Sequence, residues 1–212
     1  MLEGIEVLIH SSIKFYKGKI IYIDPFKIDR NYSDADYIFI THDHYDHYSE
    51  EDISKIIKDN TEIITPESLL EKMLMYGFKE EYITIVKPNM KYEINGIRFE
   101  TVPAYNITEK FHPKENGWVG YMIELDGIRY YIAGDTDVTE ESRKVKCDVA
   151  FVPVGGTYTM DCREAADLIN EIKPKIAVPI HYGSIVGTNE DAKKFVRMLD
   201  NEIQGKILME EQ

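Results

Sequence analysis

Residues 41–47 read Thr-His-Asp-His-Tyr-Asp-His, which places His42, His44, Asp46 and His47 within six consecutive positions of a chain that has only six histidines. Residues 37–40 before them are apolar and β-prone, which predicts a buried strand. Residues 49–52 after them are typical of a helix start. The four side chains therefore lie on a loop between two rigid elements, which can direct them at one point. Imidazole nitrogens and carboxylate oxygens together suit zinc, and also iron or manganese.

The spacing within this loop predicts two metal sites. Side chains at alternate positions can share a direction, so His42 and His44 are expected to bind one ion. Asp46 and His47 are adjacent and point elsewhere, toward a second ion. The alternative is a polar loop whose histidines only form hydrogen bonds with one another.

Two other segments offer ligands at the ends of predicted strands. Asp135 follows the strand predicted over residues 128–133, and Gly134 lets the backbone approach a neighbouring segment closely. His181 follows the strand predicted over residues 175–180. Either residue alone would indicate an ordinary turn or a structural histidine. Because residues 42–47 need further ligands, we predict that both join the site and that Asp135 bridges two ions.

Composition limits the class of protein. A length of 212 residues fits a single domain over residues 1–212. The net charge of −13 argues against a nucleic-acid surface, which would be basic, and against docking on anionic lipid. The sequence has no apolar segment of about 18 residues and no signal-peptide pattern at its start. With two cysteines, too few for a disulfide framework, we expect a cytoplasmic protein.

The remaining pattern predicts β-sheets interleaved with amphipathic helices. Asn95-Gly96 and Asp126-Gly127 each join two apolar runs and are typical of β-hairpin turns. Helices are predicted to begin at Ser49, at Pro66 and near Asp161, and another over residues 192–199. A last strand is predicted over residues 206–209. This order predicts sheet layers packed face to face, with the helices outside.

These motifs resemble those of the metallo-β-lactamase-fold hydrolases. The resemblance lies in the order of three segments, His-x-His-x-Asp-His, then Gly-Asp-Thr at residues 134–136, then Pro-x-His-Tyr-Gly at residues 179–183. Residues 22–26, 103–106 and 153–161 are similar to signatures of its ascorbate-6-phosphate lactonase-like group. The resemblance covers nearly the whole chain. It implies an α+β fold, a four-layer αββα sandwich with the metals at one edge of the paired sheets.

The resemblance also implies which residues bind which metal. The first ion would be bound by His42 and His44, the second by Asp46, His47 and His181, and Asp135 would bridge the two. The family has a third histidine on the first metal, and many relatives carry it where Asn106 stands here. We predict that His112 takes this role from a longer loop, with Asn106 or an open position as the alternatives. On this prediction His112→Ala costs first-site metal and Asn106→Ala does not.

Three more residues are expected to support the site. His10 resembles a histidine that relatives carry near the metals, so it either holds a ligand in place or contacts substrate. Asp24 is expected to accept the second N–H of a metal-binding histidine. Residues 155–158, which end at Tyr158, follow a strand and are expected to line a pocket or to present backbone N–H groups to an anion.

The sequence therefore predicts a metal-dependent hydrolase with two divalent ions, zinc in the first place and manganese or iron otherwise. The ions would activate a water molecule against a small ester, lactone or phosphodiester, with Asp46 orienting that water. One alternative is a non-catalytic metal-binding or interaction protein of the same fold. Another is a di-iron redox protein, against which His44 counts because that branch usually has Glu there. The expected partner is a small-molecule substrate, without nucleic acid or membrane, and the sequence does not define the oligomeric state.

Overall fold

Two β-sheets dominate the architecture. A computed structural model describes residues 1–108 and 110–209. The first sheet has six strands in the order β1-β2-β3-β4-β5-β6, and the second has seven in the order β13-β12-β11-β10-β9-β8-β7. In both sheets the early strands pair antiparallel and the later strands pair parallel. The two halves of the chain thus repeat one topology.

The strands and helices have the following bounds. The first sheet contains β1 (Ile5–Ile9), β2 (Ser12–Tyr16), β3 (Ile20–Ile23), β4 (Tyr37–Phe39), β5 (Glu62–Pro66) and β6 (Ile83–Val86). The second sheet contains β7 (Lys91–Ile94), β8 (Ile97–Pro103), β9 (Val119–Leu125), β10 (Ile128–Ile132), β11 (Val149–Pro153), β12 (Ile176–Ile180) and β13 (Gln204–Gly205). The α-helices are α1 (Glu50–Ile56), α2 (Leu70–Tyr76), α3 (Cys162–Ile172) and α4 (Asn189–Met198).

The inner faces of the two sheets share one apolar core. Phe39 of the first sheet packs edge-to-face on Phe99 and Tyr121 of the second sheet, with ring centroids 5.0 and 5.1 Å apart. The phenol of Tyr121 also donates to the carbonyl of Ile40 at 2.6 Å, directly before the histidine-rich loop. Alternation of inward apolar and outward side chains along each strand produces this core. The contact fixes where that loop begins.

The outer face of each sheet is covered by helices. Ile53 and Ile56 of α1 and Met73 of α2 are buried in a separate cluster against Tyr22 and Ile38, on the outer side of the first sheet. The helices α3 and α4 cover the parallel part of the second sheet, β11 and β12, in the same way. The predicted four-layer αββα sandwich, the metallo-β-lactamase fold, is confirmed. The single domain over residues 1–212 stays a prediction.

Several local predictions can be compared with the structure. The hairpin turn at Asn95-Gly96 and the helix N-cap at Ser49 are confirmed, and the Ser49 side chain accepts from the Asp52 N–H at 3.2 Å. Two others are wrong. Pro66 ends strand β5 instead of beginning a helix, and the last strand is Gln204–Gly205, not residues 206–209. None of the helices in the part of the chain that the structure describes is both long and apolar enough to cross a membrane.

The first sheet buries a lysine on its outer face. The Lys14 ammonium donates to the Asp34 carboxylate at 2.7 Å and lies 4.5 to 4.6 Å from the ring centroids of Tyr16, Tyr22 and Tyr32. Burial opposes the charge, but Asp34 outweighs it and raises the pKa of Lys14 above its ordinary value. The stability that this raised pKa contributes is therefore fully present below the ordinary pKa of lysine and is lost as the pH rises through the higher folded pKa.

Lys14→Met is expected to lower the free energy of unfolding by about 2 kcal/mol, because it removes the ion pair and three cation–π contacts. The figure is moderate because the Asp34 side chain is 26% exposed and stays partly hydrated. Urea denaturation at pH 7 measures the change. The exposed Lys19, changed to Met, is the matched control. An equal effect of the two substitutions would contradict a role for the tyrosine-lined site.

Candidate metal centre

The potential ligands meet at one edge of the two sheets. The loop of residues 41–47 leaves the carboxyl end of β4, Asp135 follows β10, and His181 follows β12. Parallel neighbours end at the same edge, so their following loops lie close together. Gly134 has φ +67°, and a Cβ there would lie 3.2 Å from the Cβ of Thr41, so the close approach predicted for this glycine is confirmed.

One group of donor atoms consists of three histidines. The nitrogens of His42, His44 and His112 lie within 4.8 Å of one another. His42 Nε2 and His44 Nδ1 are 3.2 Å apart. Asp135 Oδ2 lies 3.4 Å from His112 Nε2 and 3.9 Å from His42 Nε2. Three imidazoles and a carboxylate oxygen are a typical donor set for a divalent transition metal.

A second group lies on the other side of Asp135. Asp46 Oδ2 is 3.6 Å from His47 Nε2 and 3.7 Å from His181 Nε2. Asp135 approaches the same two rings, with Oδ1 3.3 Å from His47 Nε2 and Oδ2 3.0 Å from His181 Nε2. Asp135 thus lies between the two groups and is 4% exposed. Its position matches the bridging role predicted from the sequence.

Asp24 fixes the ring of His47 from behind. The fully buried Asp24 carboxylate accepts the backbone N–H and the hydroxyl of Thr41 at 2.8 and 2.7 Å, and lies 2.7 Å from His47 Nδ1. Since a carboxylate only accepts, Nδ1 of His47 carries a proton, and Nε2 is the ring nitrogen that faces the site. The Thr41 hydroxyl lies 2.9 Å from His42 Nδ1, and because its one hydrogen is donated to Asp24, it accepts the hydrogen bond from His42 Nδ1–H. His42 therefore also presents Nε2.

Asn106 fixes the ring of His112 in the same way. The Asn106 amide donates to Asp137 Oδ1 at 2.8 Å and to the Tyr158 carbonyl at 3.0 Å. This leaves Oδ1 to accept from the backbone N–H of His112 at 3.1 Å and from its Nδ1–H at 2.8 Å. The Nε2 lone pair of His112 then faces Asp135. Asn106 lies behind the predicted ligand and not in its place.

Several buried atoms of this centre have no hydrogen-bond partner among the described residues. They include Nε2 of His47, His112 and His181 and Oδ1 of Asp135, together with Nδ1 of His10 and of His181. Buried polar atoms are normally paired, and an orphaned set that converges on one point is the expected signature of a metal site. The donor chemistry and the convergence both fit two divalent cations.

The protonation states also fit metal binding. Burial lowers the pKa of His42 well below its ordinary value and lowers that of His44, so both rings stay neutral. Burial opposes ionisation of Asp135, but His181 and His47 outweigh it and hold the pKa of the carboxyl well below its ordinary range. Burial opposes the charge of His47 and His181, but Asp135 outweighs it and raises the pKa of both rings. Neutral imidazoles and ionised carboxylates are the forms that bind metals, so cations bound there would displace a proton from each of these two rings.

His10 supports Asp46 and His181. It is fully buried, and its Nε2 lies 3.1 Å from Asp46 Oδ2. Burial lowers the pKa of His10 to about 4, so the ring is neutral and Nε2–H donates to Asp46. Its ring packs on that of His181 at a centroid distance of 3.9 Å, and its carbonyl accepts from the His181 N–H at 2.9 Å. This geometry favours the supporting role over substrate contact.

Other residues at the centre were not assigned a supporting role from the sequence. The Thr41 hydroxyl orients the ring of His42. The Asp137 carboxylate accepts hydrogen bonds from the Asn106 side-chain amide and from the backbone N–H of Ile107. The ring of Trp118 lies against the rings of His42 and His44, with centroid distances of 5.1 and 4.9 Å. The sequence offered two signals for these roles. Thr41 is a hydroxyl residue directly before the first histidine of the motif, and Asp137 is a carboxylate two positions after Asp135.

Comparison with known proteins agrees with this fold and centre. Residues 5–181 match the β-lactamase superfamily domain. A UPF0173 metal-dependent hydrolase of Saccharolobus solfataricus is 30% identical over 196 residues, covering 89% of this chain and 83% of the relative. One of Pyrococcus horikoshii is 28% identical over 221 residues, covering 96% and 95%. The structure of Igni18, a metallo hydrolase from Ignicoccus hospitalis, matches with a TM-score of 0.80 at 21% identity, covering 98% and 95%.

The two sheets, with a histidine and carboxylate centre at their edge, define a protein of the metallo-β-lactamase fold. The chain belongs to the β-lactamase superfamily, and it is similar over most of its length to the UPF0173 proteins. The structural match to Igni18, at 21% identity, supports the fold alone.

Asn106→Ala is expected to weaken first-site metal binding about 10- to 100-fold, because His112 loses the acceptor that sets its tautomer and orientation. This revises the expectation from the sequence that the substitution would not cost metal. Competition of the loaded protein with a chromophoric chelator measures the affinity. Thr108→Ala, an exposed change in the same loop, is the control. Unchanged affinity in Asn106→Ala would show that His112 holds its orientation without the amide.

Proposed function

We propose that the protein is a metal-dependent hydrolase with two divalent cations, zinc in the first place and manganese or iron otherwise. The observation that carries the proposal is the position of Asp135 between two groups of imidazoles. The Nε2 atoms of His47, His112 and His181 are buried and lack hydrogen-bond partners among the described residues. The similarity to UPF0173 metal-dependent hydrolases supports it.

The residues would divide between two ions. His42, His44 and His112 would hold the first, Asp46, His47 and His181 the second, and Asp135 both. Ions bound there would supply Lewis-acid stabilisation of a developing oxyanion and a water molecule of lowered pKa. Asp24, Asn106 and His10 keep the ligand side chains oriented.

The chain's own contribution is orientation and exclusion of solvent. His10 donates to Oδ2 of Asp46 and fixes that carboxylate, which is 7% exposed and would orient the attacking water molecule. Trp118 is 6% exposed and closes the side of His42 and His44 against solvent. We propose a small ester, lactone or phosphodiester as the substrate and the cytoplasm as the location.

Metal content and hydrolysis test the proposal together. The protein is purified without chelators, reloaded with zinc, manganese or iron, and its metal content per chain is measured by elemental mass spectrometry. Lactones, esters and phosphodiesters are then screened, with Asp135→Ala protein from the same preparation as the control for contaminating hydrolases.

About two ions per chain, with hydrolysis that the control lacks, is the expected result. One ion per chain would contradict the dinuclear site. Failure to bind any metal after reloading would favour a non-catalytic protein of the same fold. Two irons with oxidase activity and no hydrolysis would favour redox chemistry.

A further inference from the structure

The side of the centre next to His112 carries exposed apolar side chains. Ile107 is 62% exposed, Phe111 49% and Tyr158 42%. The rings of Phe111 and Tyr158 pack edge-to-face with centroids 4.4 Å apart. Exposed apolar side chains gathered at one place beside a buried polar centre are typical of a binding surface.

Tyr158 is held in an unfavourable backbone conformation. Its φ is +69°, which is uncommon for a bulky non-glycine residue. Its carbonyl accepts from Asn106, the same residue that orients His112. Strain of this kind persists where the surrounding structure enforces it, and it concentrates at binding sites. The Asn106 side chain thus connects the pair of Phe111 and Tyr158 to the first metal site, because it contacts both the Tyr158 carbonyl and the His112 ring.

A third exposed ring lies on the loop that carries the ligands of the second group. Tyr45 is 67% exposed although it stands between His44 and Asp46. It packs edge-to-face on Phe26 with centroids 6.3 Å apart, and the Phe26 ring lies 6.3 Å from that of His10. Aromatic side chains therefore flank both groups of ligands.

The charges next to Phe111 and Tyr158 disfavour an anionic group there. The Asp137 carboxylate lies directly behind this side, bound by the Asn106 amide and the Ile107 N–H at 2.8 and 2.7 Å. A site that binds a phosphate group uses charge-assisted hydrogen bonds from arginine or lysine side chains. Of the two lysines beside this loop, Lys114 is already paired with Glu141 at 2.9 Å, and Lys110 is exposed to solvent. An uncharged apolar group suits this surface better.

We propose that Phe111 and Tyr158, the aromatic pair, bind the apolar part of the substrate next to the bond that is cleaved. The substrate class is then an uncharged ester or lactone with an alkyl or aromatic group, and not a phosphodiester or a sugar phosphate. This inference rests on the proposed function, because it assigns the substrate of the same site.

Equilibrium binding tests the aromatic pair without turnover. The probes are acetohydroxamic acid and hexanohydroxamic acid, which share a metal-binding group and differ only in alkyl length. Binding to the metal-loaded protein is followed by the fluorescence of Trp118, the one tryptophan of the chain, whose ring centroid lies 5.5 Å from that of His112. The longer probe is expected to bind about tenfold more tightly, because part of its added alkyl surface is removed from water.

Tyr158→Gly is the decisive variant. Glycine tolerates φ +69° and keeps the carbonyl that Asn106 uses, so the fold is retained. Combined with Phe111→Ala, it is expected to reduce the tenfold preference to about twofold or less. Tyr76→Ala, which removes a ring that is 53% exposed on α2, is the matched control and keeps the preference.

Three results would overturn the proposal. The first is that the unsubstituted protein binds both hydroxamic acids equally well. The second is that the double variant loses the same affinity for both probes. The third is that the double variant keeps the preference and changes only its oligomeric state in size-exclusion chromatography.

Hydrolysis of p-nitrophenyl acetate is measured separately. A protein that keeps the binding preference but cleaves no ester, lactone or phosphodiester would overturn the proposed hydrolase and leave the apolar binding surface in place.

Discussion

Asp135→Ala is expected to remove most of the bound metal and to lower kcat/KM by about a thousandfold or more. The reason is its position, since Oδ1 and Oδ2 lie 3.0 to 3.4 Å from nitrogens of His47, His112 and His181. No other carboxylate among the described residues comes within 4.0 Å of nitrogens from both histidine groups. Elemental mass spectrometry and steady-state kinetics on the best screened substrate measure the two effects.

The control for Asp135→Ala is Asp167→Ala, which makes the same change in charge on the exposed side of α3. It is expected to keep full metal content and activity. Two ions per chain and unchanged turnover in Asp135→Ala would remove this residue from the bridge.

His112→Ala is expected to reduce the metal content from about two ions to about one per chain and to lower kcat/KM by about a hundredfold or more. The second group of ligands, Asp46, His47 and His181, stays complete, while the first keeps only His42 and His44 with Asp135. Cobalt loading adds a direct readout, because the visible absorption of the first ion depends on its nitrogen ligands.

The comparison with Asn106→Ala makes the result for His112 specific. Asn106 acts on the metal only through His112, so its loss is expected to cost less than the loss of the ring itself. If the two substitutions had equal effects, the loop would contribute shape and not a ligand. A His112→Ala protein with two tightly bound ions would show that another group completes the first site.

The fold was predictable to the extent that local pattern determines it. Apolar alternation and the Asn95-Gly96 turn were enough for the hairpin of β7 and β8, and the amphipathic pattern was enough for α3. Strand β6 (Ile83–Val86) was not predicted. It is four residues long and is a strand because β5 pairs with it, which is a tertiary effect. The last strand was placed two residues late for the same reason, since only Gln204 and Gly205 pair with β12.

The candidate site was likewise predictable only where local sequence brings the ligands together. His42, His44, Asp46 and His47 lie on one loop, so sequence spacing alone brings them together. The sequence left His112 and Asn106 as alternatives because loop length does not determine which side chain reaches the site. The structure places Asn106 behind His112, through a hydrogen bond at 2.8 Å. Metal binding by all these residues stays a prediction.

The ligand set is divided between the two halves of the chain. His42, His44, Asp46 and His47 follow a strand of the first sheet, and His112, Asp135 and His181 follow strands of the second. Bound metal would cross-link the two sheets, and apparent stability would rise with free metal concentration by mass action. Metal starvation in the cell would then lower the amount of folded protein along with its activity. Proteases would degrade the unfolded chain, so the cellular level of this protein would fall with the metal supply.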